Sequence, residues 1–211
     1  MTKTLWSGKH RYHEYLEPEE AHRLIEAVPR VSRHVERDKL LLQTLWETGG
    51  RVSEVIQLQA NRIGDESLIL HNLKRRDPQT GEPRLEYKEV FTSPELIEKL
   101  RDYCTRLGIE GSAYVFQSRR QRHGHVGRWY AWKLVWRCGE NAGVQKVNRL
   151  KGEFQPPWPH LFRHGCATHI LNETDSYALA QKQLGHASMT ATENYASLKE
   201  SKHRELAKLP W

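Results

Sequence analysis

Residues 160–195 constrain this chain most. They read HLFRHGCATHIL, then a polar break, then QKQLGHASMTATENY. The first half predicts a helix with His160, Arg163 and His164 near its start. A turn carrying His186 follows, and then a second helix on which Tyr195 sits. A matching signal lies far upstream in TGGRVSEVIQL, where Thr48-Gly49-Gly50 breaks one helix and Arg51 opens the next. The paired glycines allow close backbone approach, and a helix start offers its amides to an anion beside the Arg51 guanidinium. A fold that brings these two segments together would place two guanidinium groups, histidine and a phenol around one point.

The rest of the chain predicts a mainly α (α+β) domain with a small antiparallel sheet. LEPEEAHRLIEAV has Pro18 in a first helical turn and Leu24, Ile25 and Val28 on one face. A second helix is expected from about Val35 to Glu47, through Leu40, Leu41, Leu42, Leu45 and Trp46. SLILHNL and RLEYKEVF read as a hairpin around DPQTGEP, with Lys74, Arg75 and Arg76 just before the turn. SPELIEKLRDYCTRLG reads as a capped helix and AYVFQS as a short strand. Trp129, Trp132 and Trp136 are spaced as one stripe on a helix from about Arg128 to Asn141; that spacing predicts a core face first, with a base-stacking platform as the minority reading. Residues 146–159, rich in proline at the end, are expected to be a loop.

Charge narrows the partner. The 211 residues carry a formal net charge of +7, which suits a polyanion. The density of Arg119, Arg120, Arg122 and Arg128 in SRRQRHGHVGR points to phosphate contacts. Residues 1–14 are basic and are expected to be either a solvated tail or an arm lying on DNA. Cys104, Cys138 and Cys166 are sparse and form no CxxC pair, so no zinc ribbon or redox dithiol is expected. There is neither a membrane-length apolar run nor a secretory h-region, and the expected compartment is the cytoplasm.

These side chains suit one chemistry. Displacement at a phosphodiester builds negative charge on the nonbridging oxygens, which planar guanidinium groups match with paired donors. A phenol of pKa ~10 needs a base. His160 is the natural acceptor by chemistry, and a lysine such as Lys74 could protonate the departing 5′ oxygen. The scheme calls for no metal or other cofactor. Taken singly, Arg51 is explained by an ion pair with Glu54, Lys74 by an ordinary hairpin, and Tyr195 by a half-buried helix position. Only the joint pattern outweighs these readings.

TGGRVSEVIQL, HLFRHGCATHIL and LGHASMTATENY closely resemble the three signature boxes of the tyrosine recombinase (phage integrase) family, in order and spacing, over about Leu16 to Lys202. The resemblance implies that Arg51 and Arg163 bind the phosphate, that His160 and His186 are active-site histidines, and that Tyr195 is the nucleophile. It puts the catalytic lysine in the hairpin, at Lys74, with Arg75, Arg76 and Lys88 as neighbours competing for the role. Glu54 would support the arginine pocket. The implied activity is site-specific DNA recombination through a 3′-phosphotyrosyl link, giving integration, excision or inversion without ATP. The implied partners are double-stranded DNA with a specific site, a homotetramer on that DNA, and an accessory recombinase or DNA-bending protein. About fourteen residues precede the expected catalytic domain (15–197), where most members have a core-binding domain. Residues 198–211 would form a tail helix exchanged between protomers. The rival expectations are type IB topoisomerase-like relaxation and a catalytically silent DNA-binding protein.

Overall fold

A computed structural model describes residues 15–72, 86–118, 124–148, 152–185 and 205–211. Helix α1 (Pro18–Val31) begins where Pro18 fixes the first helical φ and Glu17 and Glu20 form a capping box. Its Leu24, Ala27 and Val28 point inward, and it packs chiefly on α5 (Arg128–Ala142). Helix α2 (Val35–Thr48) is buried on nearly every side, from Leu40 to Trp46, and α1, α4 (Pro94–Leu107) and α6 (His160–Thr174) surround it. A helix apolar through so much of its circumference belongs at the centre of a domain. One continuous core cluster runs from Leu16 through α2, α4 and α5 to Phe162.

Two short hairpins complete the described fold. Strands β1 (Ser67–His71) and β2 (Tyr87–Phe91) pair antiparallel, with Ser67 opposite Phe91 and His71 opposite Tyr87. The turn between them lies outside the described residues. Strands β3 (Lys146–Asn148) and β4 (Glu153–Gln155) form a second hairpin where a loop was expected. Each strand has only three residues, too few for an alternating pattern to register. Conversely, residues 113–118 do not form a named strand. They make single bridges, Tyr114 to Gln59 and Gln117 to His125.

Two further expectations need correcting. The tryptophans of α5 are not its core face: Ala131, Leu134, Val135 and Cys138 are buried, whereas Trp129 is 69% exposed. The helix carries two apolar stripes, and the one with the smaller side chains packs closely. The tail is not a full helix in its described part either. Residues Glu205–Lys208 form a 3₁₀ turn, and Leu206 and Trp211 pack with Phe91, Cys166, Ile170 and Leu179. The cysteines are free, buried core groups; burial pushes the Cys166 thiol up to about 12. Among the described residues no helix is long and apolar enough to cross a membrane.

Candidate active site

Helix α2 ends at Gly49, whose φ of +55° is the left-handed conformation glycine tolerates. A Cβ there would lie 2.5 Å from Leu184 Cδ2 and 2.9 Å from Cys166 Sγ, so the chain can pass between α6 and α7 (Tyr177–Leu184) only as glycine. The turn delivers Arg51 as the N-cap of the short helix α3 (Val52–Val55). Its backbone amide donates to Glu54 Oε2 at 3.0 Å, and a guanidinium nitrogen lies 2.6 Å from Glu54 Oε1. The ordinary ion pair expected from sequence therefore exists, but in a setting that changes its meaning.

Glu54 is fully buried and also faces Lys88, whose Nζ is 3.0 Å from Glu54 Oε2. The same ammonium donates to the carbonyl of Leu184 at 3.1 Å. Arg163, one turn into α6, donates to that carbonyl too, at 3.0 Å, and to the carbonyl of Gly49 at 2.7 Å. These carbonyl bonds account for two of the five N–H donors of a guanidinium. Arg51 and Lys88 thus pair directly with one carboxylate, and Arg163, held on the carbonyls, is a third cation within reach of its charge.

The electrostatics follow from that imbalance. Burial alone pushes the Glu54 carboxyl up, but Lys88 and the Arg51 hydrogen bonds outweigh it and hold it below the usual carboxylate range. Lys88 is held below the usual lysine value by burial, and Arg163 and Arg51 add to the shift against Glu54. Arg163 is pushed down to about 10, first by burial and then by the Arg51 charge. The cluster remains cationic at neutral pH and would gain from an anion. Arg51 is 21% exposed, whereas Arg163 and Lys88 lie beneath the surface, so an anion meets Arg51 first.

The carbonyl that Lys88 and Arg163 share is held in place from behind. Buried Gln183 donates to the carbonyls of Glu47 and Phe91 and accepts from the Phe91 amide, which ties α7 to α2 and β2. Gly185 then closes α7 with φ +65°, and a Cβ there would lie 2.7 Å from Lys88 Cδ. The pocket is thereby joined to the residue just before His186.

The structure brings together Arg51, Glu54 and Arg163. His160 is the exposed first residue of α6, one turn before Arg163, with its ring edge-on to His164 at 4.5 Å. Arg128 is exposed at the start of α5. Lys74, Arg75, Arg76, Arg119, Arg120, Arg122, His186 and Tyr195 lie outside the described residues. Sequence reasoning underrated Lys88, which it weighed only as a competitor of Lys74. Its signal was parity: on β2 it shares the inward face with Val90, where a cation needs a buried partner. Among the described residues no group of three His, Cys, Asp or Glu side chains is arranged to hold a metal ion.

Lys88→Met tests this arrangement. Removing one member of a buried ion pair leaves its partner uncompensated, which typically costs about 3–5 kcal/mol. Arg51 still faces Glu54, so a loss near the lower bound is expected in denaturant unfolding. A change within the scatter of surface substitutions, about 0.5 kcal/mol, would mean that Lys88 does not support Glu54.

Comparison with known proteins places the chain among relatives. The sequence matches the model of the phage integrase family over residues 14–202. Tyrosine recombinase XerA of Pyrococcus furiosus is 29% identical over 181 residues, covering 85% of this chain and 56% of the relative. Tyrosine recombinase XerD of Staphylococcus epidermidis is 25% identical over 201 residues, covering 90% of this chain and 60% of the relative. The crystal structure of XerA recombinase is similar with a TM-score of 0.62 at 27% identity, over 92% of this chain and 64% of that one. XerH recombinase bound to its difH substrate shares the fold, with a TM-score of 0.63 at 20% identity, over 90% of this chain and 51% of that one. The chain spans between half and two thirds of the length of these relatives.

Proposed function

The chain belongs to the phage integrase family, and from that premise we propose that it is the catalytic part of a site-specific DNA recombinase. The observation that carries this reading is the meeting of Arg51 and Arg163 around Glu54 and Lys88, which leaves more positive charge than the pocket can itself neutralise. Arg51 and Arg163 bind the nonbridging oxygens of one phosphodiester. The Tyr195 oxygen attacks phosphorus and its proton passes to His160. The bond from phosphorus to the 5′ oxygen breaks, and Lys74 protonates that oxygen. His186 is the second histidine at the phosphate. The product is a 3′-phosphotyrosyl link and a free 5′ hydroxyl, and a 5′ hydroxyl from a partner strand reverses the step. Lys88 acts through Glu54: it positions the carboxylate against which Arg51 is aligned.

The assembly is a homotetramer on double-stranded DNA that carries the recombination site, served by an accessory recombinase or DNA-bending protein. Arg75, Arg76, Arg119, Arg120, Arg122 and Arg128 contact the backbone around the site. The tail ending at Trp211 packs on α6, α7 and β2 of its own chain. In the assembly it reaches the same apolar cluster on a neighbouring protomer.

The test is covalent capture. Wild-type protein is incubated with nicked fragments of host genomic DNA and then denatured, and the retained DNA is sequenced while the linked peptide is identified by mass spectrometry. One enriched sequence attached through Tyr195 is expected. Capture of unrelated sequences together with relaxation of plasmid would favour the topoisomerase-like activity. Tight binding with no covalent product would mean a silent DNA-binding protein.

A further inference from the structure

Gln183, in the last turn of α7, is a fully buried amide in a part of the core where an apolar side chain would serve packing as well. A buried amide is tolerated only when its donors and acceptor are met. Backbone groups from elements far apart in the chain meet them here. Nε2 donates to the Phe91 carbonyl at 2.6 Å and to the Glu47 carbonyl at 3.1 Å, while Oε1 accepts from the Phe91 amide at 3.1 Å. Both N–H donors of the amide are thereby used. The exchange with Phe91 reproduces the two-bond pattern of an antiparallel neighbour, so the side chain stands in for a strand beside β2. Glu47 lies in the last turn of α2, where carbonyls have no intrahelical donor.

Each of these partners leads directly to the arginine pocket. Glu47 runs through Thr48-Gly49-Gly50 into Arg51. Phe91 shares β2 with Lys88. Gln183 itself precedes Leu184, whose carbonyl accepts from both Lys88 and Arg163. The turns on either side leave no slack. A Cβ at Gly49 would lie 2.5 Å from Leu184 Cδ2, and one at Gly185 would lie 2.7 Å from Lys88 Cδ. In packing this close, a shift of α7 against β2 is passed on to Lys88 and to the turn that carries Arg51.

Resting on the reading of this chain as a DNA recombinase, we propose that Gln183 is a positioning residue for the cleavage step. It fixes the end of α7 against α2 and β2, and so holds Arg51, Lys88 and Arg163 in register with the segment that begins at His186. Buried as it is, it adds no contact to DNA. Affinity rests on phosphate contacts spread over the surface, whereas the reaction depends on the geometry at one phosphate, where a misplacement of ~1 Å can cost about 10²-fold.

The experiment compares single-turnover cleavage with equilibrium affinity, using the full chain and the nicked duplex recovered by covalent capture. Gln183→Asn keeps the amide but is one methylene too short to span its three partners. Its cleavage should be slowed by about 10²-fold while its dissociation constant changes by less than about threefold. Gln183→Glu, of the original length but without the paired donors, decides the matter if the asparagine variant is unfolded by circular dichroism, and the same split between rate and affinity is expected of it. Cleavage at the wild-type rate by the deciding variant would overturn the proposal. So would rate and affinity falling by the same factor, which would make Gln183 a general support of the DNA-binding surface. If neither variant folds, the tie belongs to the fold and not to the site, and the proposal is overturned as well. These outcomes leave the DNA reading standing, whereas wild-type protein that forms no covalent link with any duplex would sink both.

Discussion

Tyr195→Phe is expected to abolish covalent capture of DNA while changing affinity for the same duplex by about tenfold at most. A lost phenolic hydroxyl removes at most one hydrogen bond to the duplex, whose net contribution is about 0.5–1.5 kcal/mol and is replaceable by water. The chemical step, by contrast, depends on that oxygen as the proposed nucleophile. Lysine, arginine and histidine around the phosphate stabilise charge or move protons, and none of these roles substitutes for a nucleophile. The measurement is a denaturing gel of wild type and variant on a nicked substrate, beside an equilibrium binding curve. A covalent band from the variant would assign attack to a different residue and remove the reason for placing Tyr195 at the site.

Arg163→Ala is the second large effect, and it has two separable parts. The first is catalytic: loss of one preorganised donor to a developing oxyanion costs roughly 10²–10³ in rate. The second is structural. Arg163 bonds the carbonyls of both Gly49 and Leu184, and alanine leaves a cavity and two carbonyls that must find other donors. A buried unsatisfied carbonyl costs about 1–3 kcal/mol, although Lys88 still serves Leu184. Arg163→Lys separates the two parts. Its ammonium keeps the charge but not the fork that spans both carbonyls and a phosphate. We expect the lysine variant to recover most of the folding stability while remaining at least tenfold slow in single-turnover cleavage. Equal recovery of both would mean that Arg163 holds the fold and does not touch the reacting phosphate.

Much of this architecture was legible in the chain itself. Pro18 with Glu20 marks the start of α1, the Gly49-Gly50 break marks the end of α2, and alternation in YKEVF marks β2, because each rests on a local backbone or side-chain preference. The misreading of α5 has a definite cause. Periodicity identifies a stripe but not which of two stripes faces the core; that choice is made by α1, which packs on the smaller side chains. The hairpin β3–β4 was hidden because a three-residue strand carries no period.

The site was legible to a different degree. Nothing local in TGGRVSEV and HLFRHG says that their arginines meet; the resemblance of the boxes to a family carried that expectation. The local signals concern support: the inward position of Lys88 on β2, and the need for glycine at 49 and 185 where side chains from other elements press against the backbone. Gln183 could not have been singled out, because its three backbone partners are contributed by α2 and β2.

In the proposed function one DNA phosphate is shared by Arg51 and Arg163, with Lys88 and Glu54 behind them. A crystal structure of the Tyr195→Phe variant bound to the duplex recovered by covalent capture would test it most directly. The cleavable phosphate is expected within hydrogen-bonding distance of both guanidinium groups, with the ring of residue 195 facing phosphorus opposite the 5′ oxygen. A complex in which Arg163 remains engaged only with the Gly49 and Leu184 carbonyls, while that phosphate rests elsewhere on the surface, would contradict it.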